Sequence, residues 1–443
     1  MGLCFFIILI LLVFPELSHS KSKTKISEIV KESDFFPVKQ NRVKLGRLLF
    51  YDNILSGNRN ISCGTCHNHD LHTTDGLSLG VGEGGSGIGI ERTTGQENSK
   101  IKKRIPRNSP ALFNLGAKEI RVMFYDGKLS FGDEYDNKFN SPAEEWLHKD
   151  VANLLAAQAL LPLSSEFEMA GNSGENQVAG AIYDRIDLGW PIISKRVRII
   201  PEYGKLFMEA FDEIKNPTEV NISHIANALS DFINFEWRSY DSPYDSFIAG
   251  NKEALNTKQK KGMDLFFGKA KCAECHNGKF FTDQKFYALA LPQFGPGRTR
   301  FLDPYVRDVG RMGETDKLED AYRFRTQTLR NVALTAPYGH NGSYATLEGI
   351  IRHHLDPINS LENWDSSQVI LPKAKWLENI DFVVLKDRLE RKRLKSRLDI
   401  KPIELSENEV SELVSFMHSL TGTNSIWGKL GKPKQVPSGL PVD

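Results

Sequence analysis

The sequence predicts a mainly α-helical protein with two domains of similar plan in tandem, joined by long loops. Three observations predict this fold class. Apolar residues recur at helical spacing in several stretches, such as 222–239 and 407–420. No run of alternating apolar and polar residues is long enough to demand a sheet. One short cysteine pattern occurs twice, each time after a basic stretch that carries Leu-Leu-Phe or Leu-Phe-Phe.

Helices and loops can be assigned in chain order from this periodicity. The predicted helices are 42–55, 143–161, 175–186, 192–214, 222–239, 256–271 and 407–420. The stretch 76–105 is Gly-rich and then basic, and we expect a loop, because no strand precedes its glycines and no helix opens after them. A linker near 240–255 separates an N-terminal domain at 21–245 from a C-terminal domain at 246–443. The Pro/Gly-rich tail from 424 onward is expected to lie over the surface.

The cysteine pattern is the most specific signal in the chain. It occurs as Cys63-Gly64-Thr65-Cys66-His67 and as Cys272-Ala273-Glu274-Cys275-His276. C-x-x-C-H is the attachment signature of c-type haem, in which two thiols bind the porphyrin and the histidine binds the iron. A zinc ribbon needs its two pairs roughly 15–20 residues apart, and a redox dithiol needs no histidine. We therefore predict two covalently bound haem c groups.

The first twenty residues predict export. Residues 3–14 are apolar, but this run is shorter than the roughly 20 residues that span a bilayer. Ser18 and Ser20 form a small-x-small pattern, so residues 1–20 are predicted to be a signal peptide that is cleaved after Ser20. An uncleaved anchor has a similar sequence, and no Lys or Arg precedes the apolar run. Cys4 is the fifth cysteine and lies in this leader. We expect an exported bacterial protein in the periplasm.

The net charge of the chain argues against nucleic acid as a partner. The whole chain has 57 basic and 56 acidic side chains, and removal of Glu16 with the leader leaves 57 − 55 = +2. A protein so close to neutral lacks the basic excess that nucleic-acid binding requires. The overall charge also predicts no strong steering of a charged protein partner.

Several blocks of sequence, in a shared order, resemble the bacterial di-haem cytochrome c peroxidase/MauG family. They are LGRLLFYDNILSGNRNISCGTCHN, RNSPALFN, MFYDGK, GKAKCAECHNG and TLRNVALTAPYGHNGSYATLEGII. The resemblance runs from about residue 45 to 420, nearly all of the mature chain. It implies two cytochrome-c-like haem domains that face each other, with the peroxide-reactive haem in the N-terminal domain.

The resemblance also implies two catalytic side chains at the first haem. The family has a Gln and, ten residues later, a catalytic Glu, and Gln158 and Glu168 have that spacing here. A carboxylate in a poorly hydrated pocket can take a proton from one peroxide oxygen and deliver it to the other. Gln158 is expected to hold the peroxide or a water molecule. The alternative is that Glu168 is a solvated helix-end residue like the nearby Glu166.

Axial ligation is expected to differ between the two haems. Some family members close the first haem with a histidine sixteen residues after the proximal one, and from His67 that position is Glu83. We therefore predict a five-coordinate or water-bound first haem. At the second haem, with His276 proximal, the family's distal position falls on His354, which lies on the apolar face of a helix starting at Thr346. His353 is the competitor, about 100° around the helix. Two imidazoles lower the iron potential.

Two further features follow from the resemblance. The family has a Trp between the haems, directly before Asp-Gly, and this chain has Tyr125 there. Tyr125 is either an electron relay or a packing residue. The family also binds calcium between the domains through an Asn side chain and two backbone carbonyls. The matching positions are Asn108, Thr335 and Pro337, whose hard oxygen atoms suit Ca²⁺.

Taken with the motifs, the resemblance implies reduction of hydrogen peroxide to water, with electrons from a small periplasmic cytochrome c or cupredoxin. A first alternative is MauG-like oxidation of a side chain on a partner protein. The Trp and the Tyr ligand of MauG are both absent here. A second alternative is a non-catalytic electron carrier or haem sensor, and Gln158 with Glu168 counts against it. The resemblance also allows a homodimer. No nucleic acid is expected as a partner, nor a membrane once the signal is removed.

Overall fold

The computed structural model describes residues 28–298 and 306–443, and in these ranges the protein is mainly helical, as predicted. The leader at 1–20, including Cys4, lies outside the described residues. The α-helices are α1 Gln40–Phe50, α2 Cys63–Cys66, α3 Leu154–Leu160, α4 Gln177–Asp184, α5 Trp190–Arg198, α6 Pro201–Ala210, α7 Ile222–Glu236, α8 Pro243–Ile248, α9 Thr257–Phe267, α10 Met312–Thr315, α11 Leu347–Leu355, α12 Pro357–Glu362, α13 Glu378–Asp381, α14 Arg388–Ser396 and α15 Glu407–Ser419.

Two pairs of helices pack closely in the same way, with a glycine at the point of contact. α1 packs against α7, and α9 packs against α15. A Cβ at Gly46 would lie 1.9 Å from the carbonyl oxygen of Ala228, and a Cβ at Gly262 would lie 1.9 Å from the carbonyl oxygen of Glu412. Only glycine permits so close a backbone approach. Each pair begins with the helix that leads into a C-x-x-C-H motif, so the same crossing supports both motifs.

The apolar side chains form two main cores. One core packs residues between Val30 and Trp237. The other packs residues between Tyr244 and Leu420. Phe280 joins the first core from the second half of the chain, so the two halves are also in direct contact.

Short antiparallel strands lie where the halves meet. The strands are β1 Val122–Met123, β2 Leu129–Phe131, β3 Phe139–Asn140, β4 Phe286–Ala288 and β5 Arg323–Arg325. The first three form one sheet in the order β1-β2-β3, and β4 pairs with β5. Arg325 of β5 donates its backbone N–H to the carbonyl of Tyr125 at 2.7 Å. This bond ties the second sheet to the loop between β1 and β2.

Two helix predictions need correction. The helix predicted over 192–214 is two helices, α5 and α6, because Pro201 lacks the N–H that would continue α5 and instead begins α6. The helix predicted over 143–161 forms only as α3. Asn153 caps α3 by accepting a hydrogen bond from the N–H of Ala156 at 3.0 Å, so the helix starts at Leu154, eleven residues later than predicted.

A segment of the second half covers the Gly-rich loop of the first. The side chain of Thr94 donates to the carbonyl of Lys373 at 2.6 Å. Arg104 and Asp381 form a buried ion pair with an Nη2–Oδ2 distance of 3.0 Å. The indole N–H of Trp376 donates to Ile101 O at 2.9 Å. Residues 77–105 are therefore held in place by contacts that the sequence pattern did not indicate.

The tail beyond residue 424 packs back onto the first half of the chain. Val436 is buried, and Ser438 Oγ donates to Asp52 Oδ1 at 2.7 Å. Thr65, within the first C-x-x-C-H motif, donates its hydroxyl hydrogen bond to Asp443. The tail thus lies over the surface as expected, and it covers the first motif rather than the second. Within the described ranges, no helix has the length and apolar character to cross a membrane.

Candidate functional site

The first C-x-x-C-H motif lies in the short helix α2. Ser62 caps this helix, and its N–H donates to Thr65 Oγ1 at 3.0 Å. A Cβ at Gly64 would lie 2.5 Å from the ring of the buried Tyr51, so the position between the cysteines must be small. Cys63 and Cys66 are half-buried, unpaired thiols on one helical turn. This geometry suits two thioether bonds to one porphyrin.

His67 is oriented as an iron ligand requires. Its Nδ1 lies 3.0 Å from the carbonyl oxygen of Thr73, to which it donates. Ser109 donates its hydroxyl hydrogen bond to Cys66 O at 3.0 Å and packs beside the same ring nitrogen. Burial lowers the pKa of His67, which favours the neutral imidazole. A proton held on Nδ1 leaves the lone pair of Nε2 for a metal.

His276 of the second motif repeats this arrangement. Its Nδ1 lies 3.1 Å from the carbonyl oxygens of both Phe281 and Gln327. Burial, and to a smaller extent the neighbouring His354, lower the pKa of His276 to about 4. In both motifs a backbone carbonyl five or six residues downstream therefore fixes the imidazole tautomer and leaves Nε2 free.

A cavity of about 940 Å³ opens beside the second motif. Cys272, Cys275 and His276 line it from one side, and His354 of α11 lines it too. The rest of the wall is mostly apolar and includes Phe266, Leu329, Leu347, Ile350, Ile351 and Met417. Two thiols, two imidazoles and apolar walls around a cavity of this size fit a covalently attached haem.

The two neighbouring histidines of α11 differ in availability. Both ring nitrogens of His353 are engaged: Nδ1 accepts from the hydroxyl of Tyr344 at 2.8 Å, and Nε2 donates to Leu289 O at 2.7 Å. His354 uses only Nδ1, which donates to Ile350 O one turn earlier at 2.8 Å. The arrangement leaves His354, and not His353, with a free Nε2 for a metal.

Gln158 and Glu168 lie on consecutive elements at the first motif's side of the molecule. Gln158 is in the last turn of α3 and lines a small cavity of about 40 Å³ together with Tyr125. Glu168 belongs to a single π-helical turn, Glu166–Ala170, and is half-buried, whereas Glu166 is exposed. No hydrogen bond joins Gln158 and Glu168 in the part of the chain that the structure covers. Glu168 interacts electrostatically with Cys66 of the first motif, whereas Gln158 shares its small cavity with Tyr125 and not with the motif.

Glu83 occupies the position where some family members place a closing histidine. Its Oε1 accepts hydrogen bonds from the side-chain amides of Asn58 and Asn60, both at 2.8 Å. Its backbone N–H donates to Phe167 O at 3.2 Å, next to Glu168. These contacts hold Glu83 through its Oε1 and its backbone, while its buried Oε2 has no hydrogen-bond partner.

Tyr125 lies between the two sites. Its side chain lines both the large cavity that contains His276 and the small cavity that contains Gln158. The hydroxyl is 3.5 Å from Asn108 Oδ1, and burial raises the pKa of the phenol. Arg325 fixes the segment by donating from its side chain to Phe124 O at 2.9 Å. Tyr125 is thus a half-buried, redox-capable side chain that lines both cavities.

Of the residues suggested for calcium, Asn108 lies beside Tyr125. Asn108, Thr335 and Pro337 line the same large cavity. The side-chain N–H of Asn108 donates to Leu77 O at 2.8 Å, which turns its Oδ1 toward the Tyr125 hydroxyl. Among the residues with described positions, no three His, Cys, Asp or Glu side chains converge as a metal site. A cation here would rely on amide and backbone oxygens.

The sequence pattern predicted no role for three polar side chains near these sites, His340, Asp75 and Lys128. His340 is buried, stacks on Phe324 with ring centroids 3.6 Å apart, and has no hydrogen-bond partner for either ring nitrogen. Two unsatisfied nitrogens on the cavity wall fit a haem propionate, because buried polar groups normally have partners. Burial raises the pKa of Asp75 to about 7. Burial lowers the pKa of Lys128, whose ammonium lies 4.2 Å from the Phe124 ring centroid.

Comparison with known proteins agrees with this geometry. Residues 40–253 match the model of the family described as di-haem cytochrome c peroxidase. The methylamine utilization protein MauG of Methylorubrum extorquens is 25% identical over 406 residues, which cover 91% of this chain and 85% of that protein. The cytochrome c551 peroxidase of Pseudomonas aeruginosa is 29% identical over 329 residues, which cover 74% of this chain and 75% of that protein.

Solved structures show the same overall fold. A crystal structure of a MauG-like protein associated with microbial copper homeostasis superposes with a TM-score of 0.57 and 25% identity, covering 92% of this chain and 96% of the other. The di-haem peroxidase BthA of Burkholderia thailandensis superposes with a TM-score of 0.55 and 18% identity, covering 92% of this chain and 94% of the other. At that identity, BthA supports the fold alone.

Proposed function

Because this chain belongs to the di-haem cytochrome c peroxidase family, we propose that it reduces hydrogen peroxide with electrons from a small redox protein. The chain is an oxidoreductase of the peroxidase class, and two c-type haems are its cofactors. One peroxide, two electrons and two protons give two waters. When bound, the haems supply electron storage and a site for peroxide. The position of Tyr125, shared by both cavities, is the observation that carries the proposal.

Glu168 and Gln158 are the proposed catalytic residues at the first haem. The Glu168 carboxylate takes a proton from one peroxide oxygen and returns it to the oxygen that leaves as water. The Gln158 amide orients the peroxide through hydrogen bonds. The half-burial of Glu168 beside the exposed Glu166 supports this assignment, because a partly buried carboxylate can contact a bound substrate, whereas an exposed one is surrounded by water.

His67, His276 and His354 are the proposed iron ligands, with the second haem held by two imidazoles. The free Nε2 atoms of all three support this assignment. The first haem is proposed to keep an open position, since Glu83 is held by two asparagines. Tyr125 would carry electrons between the two haems, because its side chain lines both cavities and its phenol can lose an electron together with its hydroxyl proton.

The proposal also includes a calcium site, two haem domains, a compartment and an electron donor. Asn108, Thr335 and Pro337 hold a calcium ion between an N-terminal haem domain at 21–245 and a C-terminal haem domain at 246–443. The signal at 1–20 directs the chain to the periplasm, where a cytochrome c or cupredoxin donates electrons. Names of relatives such as cytochrome c551 peroxidase support a redox-protein donor.

Low-temperature EPR of the ferric holoprotein tests the proposal. A high-spin signal beside a low-spin bis-histidine signal is expected, and one equivalent of peroxide is expected to remove the high-spin signal. Two low-spin signals that do not respond to peroxide would contradict the open first haem and favour the electron-carrier alternative.

A second candidate function is peroxide-dependent oxidation of a side chain on a partner protein. The MauG relative covers 91% of this chain, compared with 74% for the peroxidase relative, and this wider match favours it. Tyr125 and His354 stand where MauG has its Trp and its Tyr ligand. Peroxide consumption that requires a specific partner protein, and leaves that protein with altered mass, would select this function.

A further inference from the structure

A strongly basic segment lies near the C-terminal end of this near-neutral chain. The whole sequence carries 57 basic and 56 acidic side chains. Within 386–401 there are eight basic and three acidic residues, a local net charge of 8 − 3 = +5. The net charge of the whole chain does not reveal this local excess of positive charge. Electrostatic steering of a partner depends on such local patches as well as on net charge.

Helix α14 divides this segment into an inner and an outer face. Glu390 and Leu394 are four residues apart and are both buried. Arg388 and Lys392, also four residues apart, are both exposed on the opposite face. Leu394 lines the cavity beside His276, so α14 separates that cavity from solvent.

Some cations of the segment are neutralised within the protein. Glu362 forms ion pairs with Arg391 and with Lys395, the latter at 2.6 Å. The buried Glu390 pairs with Arg393 at 3.1 Å. These ion pairs lie on the sides of α14. Much of the negative charge near the helix is therefore already paired with its own basic residues.

The outer cations are not neutralised in this way. Lys386, Arg388, Lys392 and Lys401 are exposed, and they form no ion pair within the described residues. Leu389 lies among them and is 55% exposed. We call these five residues the basic face. An exposed apolar side chain surrounded by cations has the composition of a docking surface with a polar rim.

The basic face reaches the mouth of the second haem cavity. Residues 399–403 line the cavity, and Lys401 is both exposed and part of that lining. A protein bound here would place its cofactor close to the second haem site.

We propose that the basic face is the docking surface for an acidic electron donor, a small redox protein with carboxylates around its exposed cofactor edge. The inference deepens the proposed function, on which it rests. Each docking event transfers one electron from the reduced donor to the second haem, and two events supply the two electrons for one peroxide. No bond forms or breaks in the transfer.

Stopped-flow reduction of the second haem tests the surface without peroxide. The ferric holoprotein is mixed with a reduced, small acidic blue-copper protein at low and high salt. The second-order rate is expected to fall about tenfold or more with added salt, because screening weakens steering between opposite charges. The double variant R388E/K392E is expected to lose about tenfold at low salt and to lose the salt dependence.

The control is Lys44→Glu in α1, an exposed lysine on the first half of the chain. This single reversal is expected to leave the rate nearly unchanged, and R388E, also a single reversal, is the matched comparison. Haem absorbance and circular dichroism of each variant check that it is folded. Equal losses in R388E and K44E would overturn the proposal.

Two other outcomes would also overturn it. A small basic c-type cytochrome that reduces the haem faster than the acidic protein would exclude an acidic donor. Binding to anionic phospholipid vesicles, lost in R388E/K392E while reduction by the acidic protein is unchanged, would assign the face to a membrane. Peroxide turnover with a small uncharged electron donor is measured separately. Its absence would contradict the peroxidase function while the docking result stands.

Discussion

Arg107 and Asp308 form a buried, two-pronged ion pair that joins the two halves of the chain. Nε of Arg107 lies 2.7 Å from Asp308 Oδ2, and Nη2 lies 2.9 Å from Oδ1. The remaining Nη1 donates to Asp126, the residue directly after Tyr125. Burial raises the pKa of Asp308, but the charge of Arg107 outweighs burial and holds it below its ordinary value. One guanidinium therefore fixes the position of the shared tyrosine.

Replacing Arg107 by Gln is expected to destabilise the protein by about 3–5 kcal/mol, because the buried Asp308 would lose the cation that pairs with it and Asp126 would keep only its pair with Arg298. Urea unfolding of the holoprotein, followed by haem absorbance, measures the change. Lys205→Gln, which removes an exposed pair with Glu209, is the control and should leave the midpoint nearly unchanged. A loss below about 1 kcal/mol in R107Q would contradict the role of this pair.

Replacing His354 by Ala is expected to convert the second haem from low spin to high spin and to raise its reduction potential, because one imidazole ligand is lost. EPR and a spectroelectrochemical titration measure both effects. His353→Ala is the matched control, since His353 already uses both ring nitrogens. A low-spin signal that survives in H354A and disappears in H353A would reverse the assignment.

Replacing Glu168 by Gln is expected to lower kcat for peroxide reduction by about 10²–10⁴-fold, because the amide cannot exchange a proton. The KM for peroxide should change little. Steady-state kinetics with a reduced donor protein provide the measurement, and Glu166→Gln, two residues away and exposed, should retain activity. Equal effects of the two variants would mean that Glu168 has no catalytic role.

Replacing Asp75 by Asn is expected to stabilise the protein more at pH 8 than at pH 5. Burial raises the pKa of Asp75 to about 7, so the folded state keeps a proton that the unfolded state releases above about pH 4. The stability of the parent protein therefore falls as pH rises from about 4 to 7, with the full cost above pH 7.

The gain in D75N is expected to differ between the two pH values by an amount on the order of 2 kcal/mol. Urea midpoints at both pH values measure it. Asn can keep the hydrogen bond that Asp75 Oδ1 accepts from Leu77 N at 3.0 Å, so the local turn is preserved. A gain that is larger at pH 5 would mean that the Asp75 pKa is lowered rather than raised.

Local signals predicted the elements that depend on local contacts. The helix expected to start at Thr346 does so, because Thr346 Oγ1 accepts a hydrogen bond from Gly349 N at 3.1 Å. Helices α7 and α15 appear close to their predicted ranges, since each has a capping residue and one continuous apolar face. The break at Pro201 was also visible in the sequence, but the apolar periodicity on both sides masked it.

The sequence pattern could not predict contacts between residues that are far apart in the chain. Arg107 and Asp308 are 201 positions apart, and nothing near either one indicates the other. Asp75 looks like an ordinary turn residue until its burial is known. Likewise, only the structure shows that Tyr344 and Leu289 form hydrogen bonds with both ring nitrogens of His353. The chemistry at each motif was therefore predictable, and its electrostatic surroundings were not.

The tail imposes an order on the maturation of the protein. Arg47 of α1 donates to the carbonyl of Gly431 at 2.7 Å, and the chain beyond that point continues toward Thr65 between the two thiols of the first motif. These contacts form only after the second half of the chain has been synthesised. Until then the first pair of cysteines lacks its outer cover. In the growing chain that pair is thus accessible for thioether formation, and this period ends when the tail packs over it.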